Sequence, residues 1–105
     1  MAEPAFTSWA FIYLGTGTED PAVNRAVIDA GGLTTTVVAV PDRDSAPAVA
    51  AALVAEGAQT IELCGAFGPE WVARVLDATG RRVPVGGVLY GVESVPRLAT
   101  LLGAA

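Results

Sequence analysis

The sequence predicts an α/β fold of four consecutive strand–helix units whose strands form a parallel sheet. Three observations carry this reading. Short runs rich in β-branched and aromatic residues recur along the chain, segments with helical spacing separate them, and Gly, Pro or Asp marks each switch. With 105 residues, 52% of them hydrophobic and 16% charged, the chain can fill a core and is expected to form one domain over residues 1–105.

Residues 8–14 read as the first strand. The loop Gly15-Thr16-Gly17-Thr18-Glu19 follows, and Asp20-Pro21 reads as a helix cap and first-turn proline. That first helix is expected to close at Gly31-Gly32. Residues 33–40, dominated by Thr and Val, make the second strand. Pro41-Asp42-Arg43-Asp44 turns the chain into a second helix over 45–56, ended by Gly57. The third strand is 60–64. Gly68-Pro69-Glu70 starts a third helix with Val72, Val75 and Leu76 at helical spacing, and Gly80 stops it. The fourth strand is 83–90, and Ser94 caps a final helix running to Leu102.

Two sheet arrangements satisfy right-handed crossovers. Consecutive strand order puts every helix on one face, whereas displacing one of the first two strands covers both faces, as in a flavodoxin-like three-layer sandwich. Side-chain alternation separates them. Trp9, Phe11 and Tyr13 share one face of the first strand, and Thr60, Glu62 and Cys64 share one face of the third. One face is therefore aliphatic and the other aromatic and polar, whereas a parallel sheet covered on both sides is aliphatic on both. The expected architecture is a half-TIM-barrel whose open face meets a second copy, closing a βα barrel by homodimerisation.

Composition excludes several classes of function. The net charge of −5, with no basic cluster, argues against nucleic acid and anionic membranes. No apolar run approaches the ~20 residues of a membrane span, and the acidic start Met1-Ala2-Glu3-Pro4 argues against a secretory signal. A single cysteine fits a reducing, cytoplasmic setting. The chain has neither histidine nor lysine, so it cannot build a histidine triad, a cysteine–histidine dyad or a lysine Schiff base. With one cysteine and no imidazole, neither a metal nor a cofactor is expected.

The candidate site centres on Thr60 to Glu70. Glu62 stands between Ile61 and Leu63, and a carboxylate buried there would be pushed towards neutral pKa values, as a general acid or base requires. An ion pair with Arg25 or Arg74 is the structural alternative. Cys64 ends the same strand just before a helix start, where amide dipoles favour a thiolate; a small buried hydrophobe is its other reading. Gly65, Ala66, Phe67 and Gly68 offer backbone amides that would hold an oxyanion, or they make an ordinary turn. Arg25 would orient an anionic substrate or pair with Asp29 on its own helix. Tyr13 and Tyr90, with Trp9 and Phe11, would line a pocket or a dimer core. The glycine loop at 15–19 lacks dinucleotide spacing and reads as a plain loop or lid, and Gly86-Gly87 marks a bulge or a close approach.

Three segments together carry a resemblance: Asp20-Pro21-Ala22-Val23-Asn24-Arg25, Ile61-Glu62-Leu63-Cys64-Gly65-Ala66-Phe67-Gly68-Pro69, and Val83-Pro84-Val85-Gly86-Gly87-Val88-Leu89-Tyr90. The chain resembles, over nearly its whole length, a family of small proteins known as a domain of unknown function. Relatives often carry histidine where Asn24 stands, glycine at Ala66 and a polar residue near Leu89; this chain has none of the three. The resemblance implies a small α/β dimer and, for some relatives, a link to polyketide pathways through chain release or cyclisation.

Three functions follow. One is a cofactor-independent enzyme for cyclisation, lactonisation or hydrolytic release of a polyketide-like or carbonyl substrate. In it Glu62, Arg25 and Cys64 are catalytic, while Tyr13, Gly65, Ala66, Phe67, Gly68 and Tyr90 hold the substrate. The second is a non-catalytic binder or accessory protein using the same small-molecule pocket. The third is a dimerising module whose aromatic face is only an interface.

Overall fold

The segment after the first loop does not continue as a helix. In the computed structural model, which describes residues 5–103, the order is β1 (Ser8–Leu14), β2 (Arg25–Ala30), β3 (Leu33–Val40), α1 (Ala46–Ala55), β4 (Ile61–Leu63), α2 (Pro69–Ala78), β5 (Val85–Gly87) and α3 (Val95–Leu101). Short helical turns at Arg43–Ser45 and Val92–Ser94 lead into α1 and α3. The acidic start at residues 1–4 lies outside the described residues.

The expected first helix over 20–31 is thus corrected to one turn followed by a strand. Asp20 does open a turn: its carbonyl accepts from Val23 N at 2.9 Å and Asn24 N at 2.7 Å. Its carboxylate also accepts from Ala22 N at 2.9 Å. The chain then extends, because Arg25–Ala30 satisfies the edge of β3 as an antiparallel partner, from Arg25 opposite Val38 to Ala30 opposite Leu33. Gly31 (φ 63°) and Gly32 (φ 78°) form the two-residue turn between the strands, where consecutive positive φ values demand glycine.

The five-stranded sheet has the order β2-β3-β1-β4-β5, and every neighbouring pair except β2–β3 is parallel. The consecutive order expected for a half-barrel is therefore not the one formed. β1 lies between β3 and β4, the strand order of a flavodoxin-like sheet. The three-layer sandwich is not formed either. Its second helical layer would begin with the helix that β2 replaces.

Both long helices pack on one face. Ala10 and Ile12 of β1, Val38 and Val40 of β3, and Ile61 and Leu63 of β4 are all 0% exposed and meet Ala46, Ala50 and Leu53 of α1 and Val75 of α2. Alanines along α1 let that helix lie close to the sheet, while α2 adds larger side chains. Burying a side chain such as Ile12 or Ile61 stabilises the fold by about 1.5–3 kcal/mol.

The opposite face carries no helix. Trp9, Phe11 and Tyr13 stand there in register with Thr35, Val37 and Ala39, and Glu62 neighbours Phe11 and Gly86. The aromatic and polar face read from side-chain alternation is thus present, although a missing helix rather than consecutive strand order leaves it open. α3 buries none of its residues, and Leu101 and Leu102 are about four-fifths exposed. The chain measures 55 × 29 × 29 Å.

Candidate functional site

In open α/β sheets, ligands bind beyond the carboxyl ends of strands whose continuations diverge. Here β1 continues towards the β2 edge and β4 continues into α2, so the divergence falls between Leu14 and Cys64. The two strand ends are tied together: Cys64 N donates to Ile12 O at 3.0 Å, and Leu14 N donates to Cys64 Sγ at 3.4 Å.

Beside this junction lies a crevice of about 320 Å³, lined by Cys64, Gly65, Ala66, Tyr90, Leu98, Leu101 and Leu102. The β4–α2 turn forms its floor and α3 its roof. Its lining is mostly apolar, with the Cys64 thiol and Tyr90 phenol as the polar side chains. Tyr90 lies so close to the turn that a Cβ at Gly65 would stand 2.6 Å from its ring. Phe67 N donates to Cys64 O at 3.2 Å and closes the turn, while Arg43 Nε braces it from outside by donating to Ala66 O at 2.8 Å.

Four of the expected site residues therefore converge: Cys64, Gly65, Ala66 and Tyr90. Gly65 and Ala66 also border a more polar hollow of about 580 Å³ with Phe67, Gly68, Asp42 and Glu70. Phe67 points into the core at 4% exposure. Gly68, with φ 79°, is the N-cap of α2 and lines a separate apolar depression with Val72, Gly87 and Val88. In its turn Phe67 N–H is engaged by Cys64 O, while among the described residues the amides of Gly65, Ala66 and Gly68 donate to no protein acceptor. Tyr13 sits near Asn24 and Arg25 at the β2 edge.

Glu62 and Arg25 do not meet. Glu62 was expected to be buried; it is exposed, because β4 turns Ile61 and Leu63 to the helices and its middle residue to the open face. Water solvates the charge there, and no partner is required. Glu62 itself lines an open depression of about 520 Å³ there, with Thr60, Pro84, Gly86 and Val88. Arg25 belongs to β2, where its Nε donates to Pro21 O at 2.9 Å and a terminal nitrogen stands 3.8 Å from Glu56. Arg74 stacks over the Trp71 ring at 4.4 Å on α2.

The roof of the crevice was not singled out in the sequence. Leu98, Leu101 and Leu102 recur at helical spacing, which was the available signal. Arg43 gave none, because it acts through a contact 23 positions away.

Among the described residues no three His, Cys, Asp or Glu side chains converge as metal ligands, and no helix is long and apolar enough to cross a membrane. No curated protein and no solved structure matches the chain. The model of a family of unknown function, DUF6506, matches residues 7–103, and the chain belongs to that family.

Proposed function

We propose that this protein binds a small, largely apolar, oxygen-bearing molecule in the crevice between the β4–α2 turn and α3, and that it does so without catalysing a reaction. One observation carries the reading: Cys64, Gly65, Ala66 and Tyr90 come together in an apolar cavity at the carboxyl end of the sheet. At about 320 Å³ the cavity lies at the lower end of the ~300–1,000 Å³ spanned by ligand pockets. Tyr90 and Cys64 supply the polar contacts that would orient a carbonyl or hydroxyl. A polyketide-like chain or cyclised product, the class implied by the sequence resemblance, has this chemistry.

Binding is favoured over acid/base catalysis by the placement of the charged groups. Glu62 lines a depression on the open face and Arg25 one at the edge strand, and neither lines the crevice. No carboxylate lines the cavity, which leaves the Cys64 thiol and the Tyr90 phenol as the only side chains there able to move a proton.

The test uses prodan, a naphthyl ketone whose emission reports transfer into an apolar site. Titration should show saturable binding, and bound prodan should slow the reaction of Cys64 with an aromatic disulfide. Leu98→Trp fills the roof and should weaken binding about tenfold, a loss of roughly 1.4 kcal/mol. Binding that ignores Leu98→Trp, or leaves Cys64 as reactive as before, would overturn the assignment.

A further inference from the structure

The sheet ends in two edge strands, β2 and the shorter β5. β2 is an edge strand of six residues, Arg25–Ala30, all of them exposed. Of the usual protections of an edge it carries only charge, one of each sign at Arg25 and Asp29: there is no proline, no lysine and no bulge in its register with β3. Val27 and Ile28 are 59% and 58% exposed.

Backbone geometry determines which groups the edge offers. Ala39 N donates to Asn24 O at 3.0 Å, so Asn24 and Ala39 form a hydrogen-bonded pair of the antiparallel ladder. Such pairs alternate with non-hydrogen-bonded ones. Ala26, Ile28 and Ala30 therefore direct their amides and carbonyls inward to β3, whereas Arg25, Val27 and Asp29 direct theirs outward. The other edge of β3 agrees: Thr34 N donates to Thr7 O, and Val40 O accepts from Gly15 N, so its even-numbered groups face β1.

We infer that two copies of this chain join through β2, antiparallel and in one register, with Val27 opposite Val27 of the partner subunit on the two-fold axis. Only residues with outward groups can pair, so a shift by one residue is forbidden and shifts by two are the alternatives. The Val27-centred register is the one that places Arg25 opposite the partner's Asp29, and Asp29 opposite the partner's Arg25. It also sets Ala26 opposite the partner's Ile28 on the other face, matching small to large. Opposite charges facing each other across antiparallel strands stabilise the pair, and like charges destabilise it. The Val27 residues exchange two backbone hydrogen bonds, and each Asp29 N–H donates to the partner's Arg25 C=O. The Arg25 amide is already bound to Val23 O at 3.0 Å. The two sheets become continuous.

A seam of one strand pair falls below the ~1,200 Å² of a standard interface. The association is therefore read by sedimentation equilibrium at on the order of 100 µM chain. The expected mass is twice 10.6 kDa. Val27→Pro removes an outward N–H and no bond to β3, so it should yield monomers whose circular dichroism matches the unaltered chain. R25E should weaken the dimer at least tenfold, and the double swap R25E/D29R should restore it. Rescue by the swap supports the register even if Val27→Pro fails to fold. A monomeric parent chain at that concentration, a dimer indifferent to R25E, or a double swap no better than R25E would each overturn the proposal.

Discussion

Glu19 shows how one side chain organises a loop. Its carboxylate accepts from Thr16 N and Gly17 N, each at 2.8 Å, and from Thr18 N at 3.1 Å. A Cβ at Gly15 would overlap the carboxylate, so a larger residue there would have to push Glu19 away from these amides. The Thr16 amide, then that of Gly17, holds the Glu19 pKa well below the ordinary 4.5, at about 2. Because the folded value is depressed, the loop's stabilisation is fully present above pH 4.5 and is lost as pH falls towards 2. Carboxyl resonances followed by NMR should give a Glu19 midpoint near 2; a midpoint near 4.5 would mean that the loop is open in solution. Two neighbouring strand positions supply a second contrast. Ile12→Ala, at a fully buried site, should cost about 2–5 kcal/mol in urea unfolding. Glu62→Gln, on the solvated face, should change stability by less than about 0.5 kcal/mol and leave prodan affinity unaltered.

The elements were legible in unequal measure. β1, β3, α1, α2 and α3 occupy the segments their patterns predict, because hydrophobic period and turn chemistry agree there. Residues 20–31 failed for a definable reason. Asp20-Pro21 is a sound helix start, but Val27 and Ile28 favour extended backbone, and Gly31-Gly32 between two β-branched runs is a hairpin signal as well as a helix stop. Edge pairing with β3 decided between them. Gly31→Val tests this element directly: forcing a β-branched residue to φ 63° should destabilise the protein by about 1–2 kcal/mol. A neutral result would show that the hairpin takes another turn. The burial of Glu62 was misread because Ile61 and Leu63 are buried on a face that their neighbour does not share.

At the scale of the molecule, stability is concentrated on one side. α1, α2, β1, β3 and β4 share the core, whereas α3 contributes no buried residue. A helix of seven residues is marginal in water without packing. Amide exchange should therefore be slowest at Ile12, Val38 and Leu63 and faster by orders of magnitude along α3. Equal protection of α3 would contradict this layering, and slowing of α3 by bound prodan would place the ligand beneath it. The site was half legible for a similar reason. The turn after β4 announces itself in glycine and proline, but strand order alone decides that Glu62 and Arg25 stand apart, and strand order depends on pairings distant in sequence.

The unclad aromatic wall also makes the protein its own optical gauge. The chain has two tryptophans, Trp9 on that wall and Trp71 on α2. With Trp71→Phe, emission comes from Trp9 alone, and any lipid, peptide or neighbouring subunit settling over the wall displaces water from the indole and shifts its spectrum to the blue. A seam formed only at the β2 edge leaves that colour unchanged.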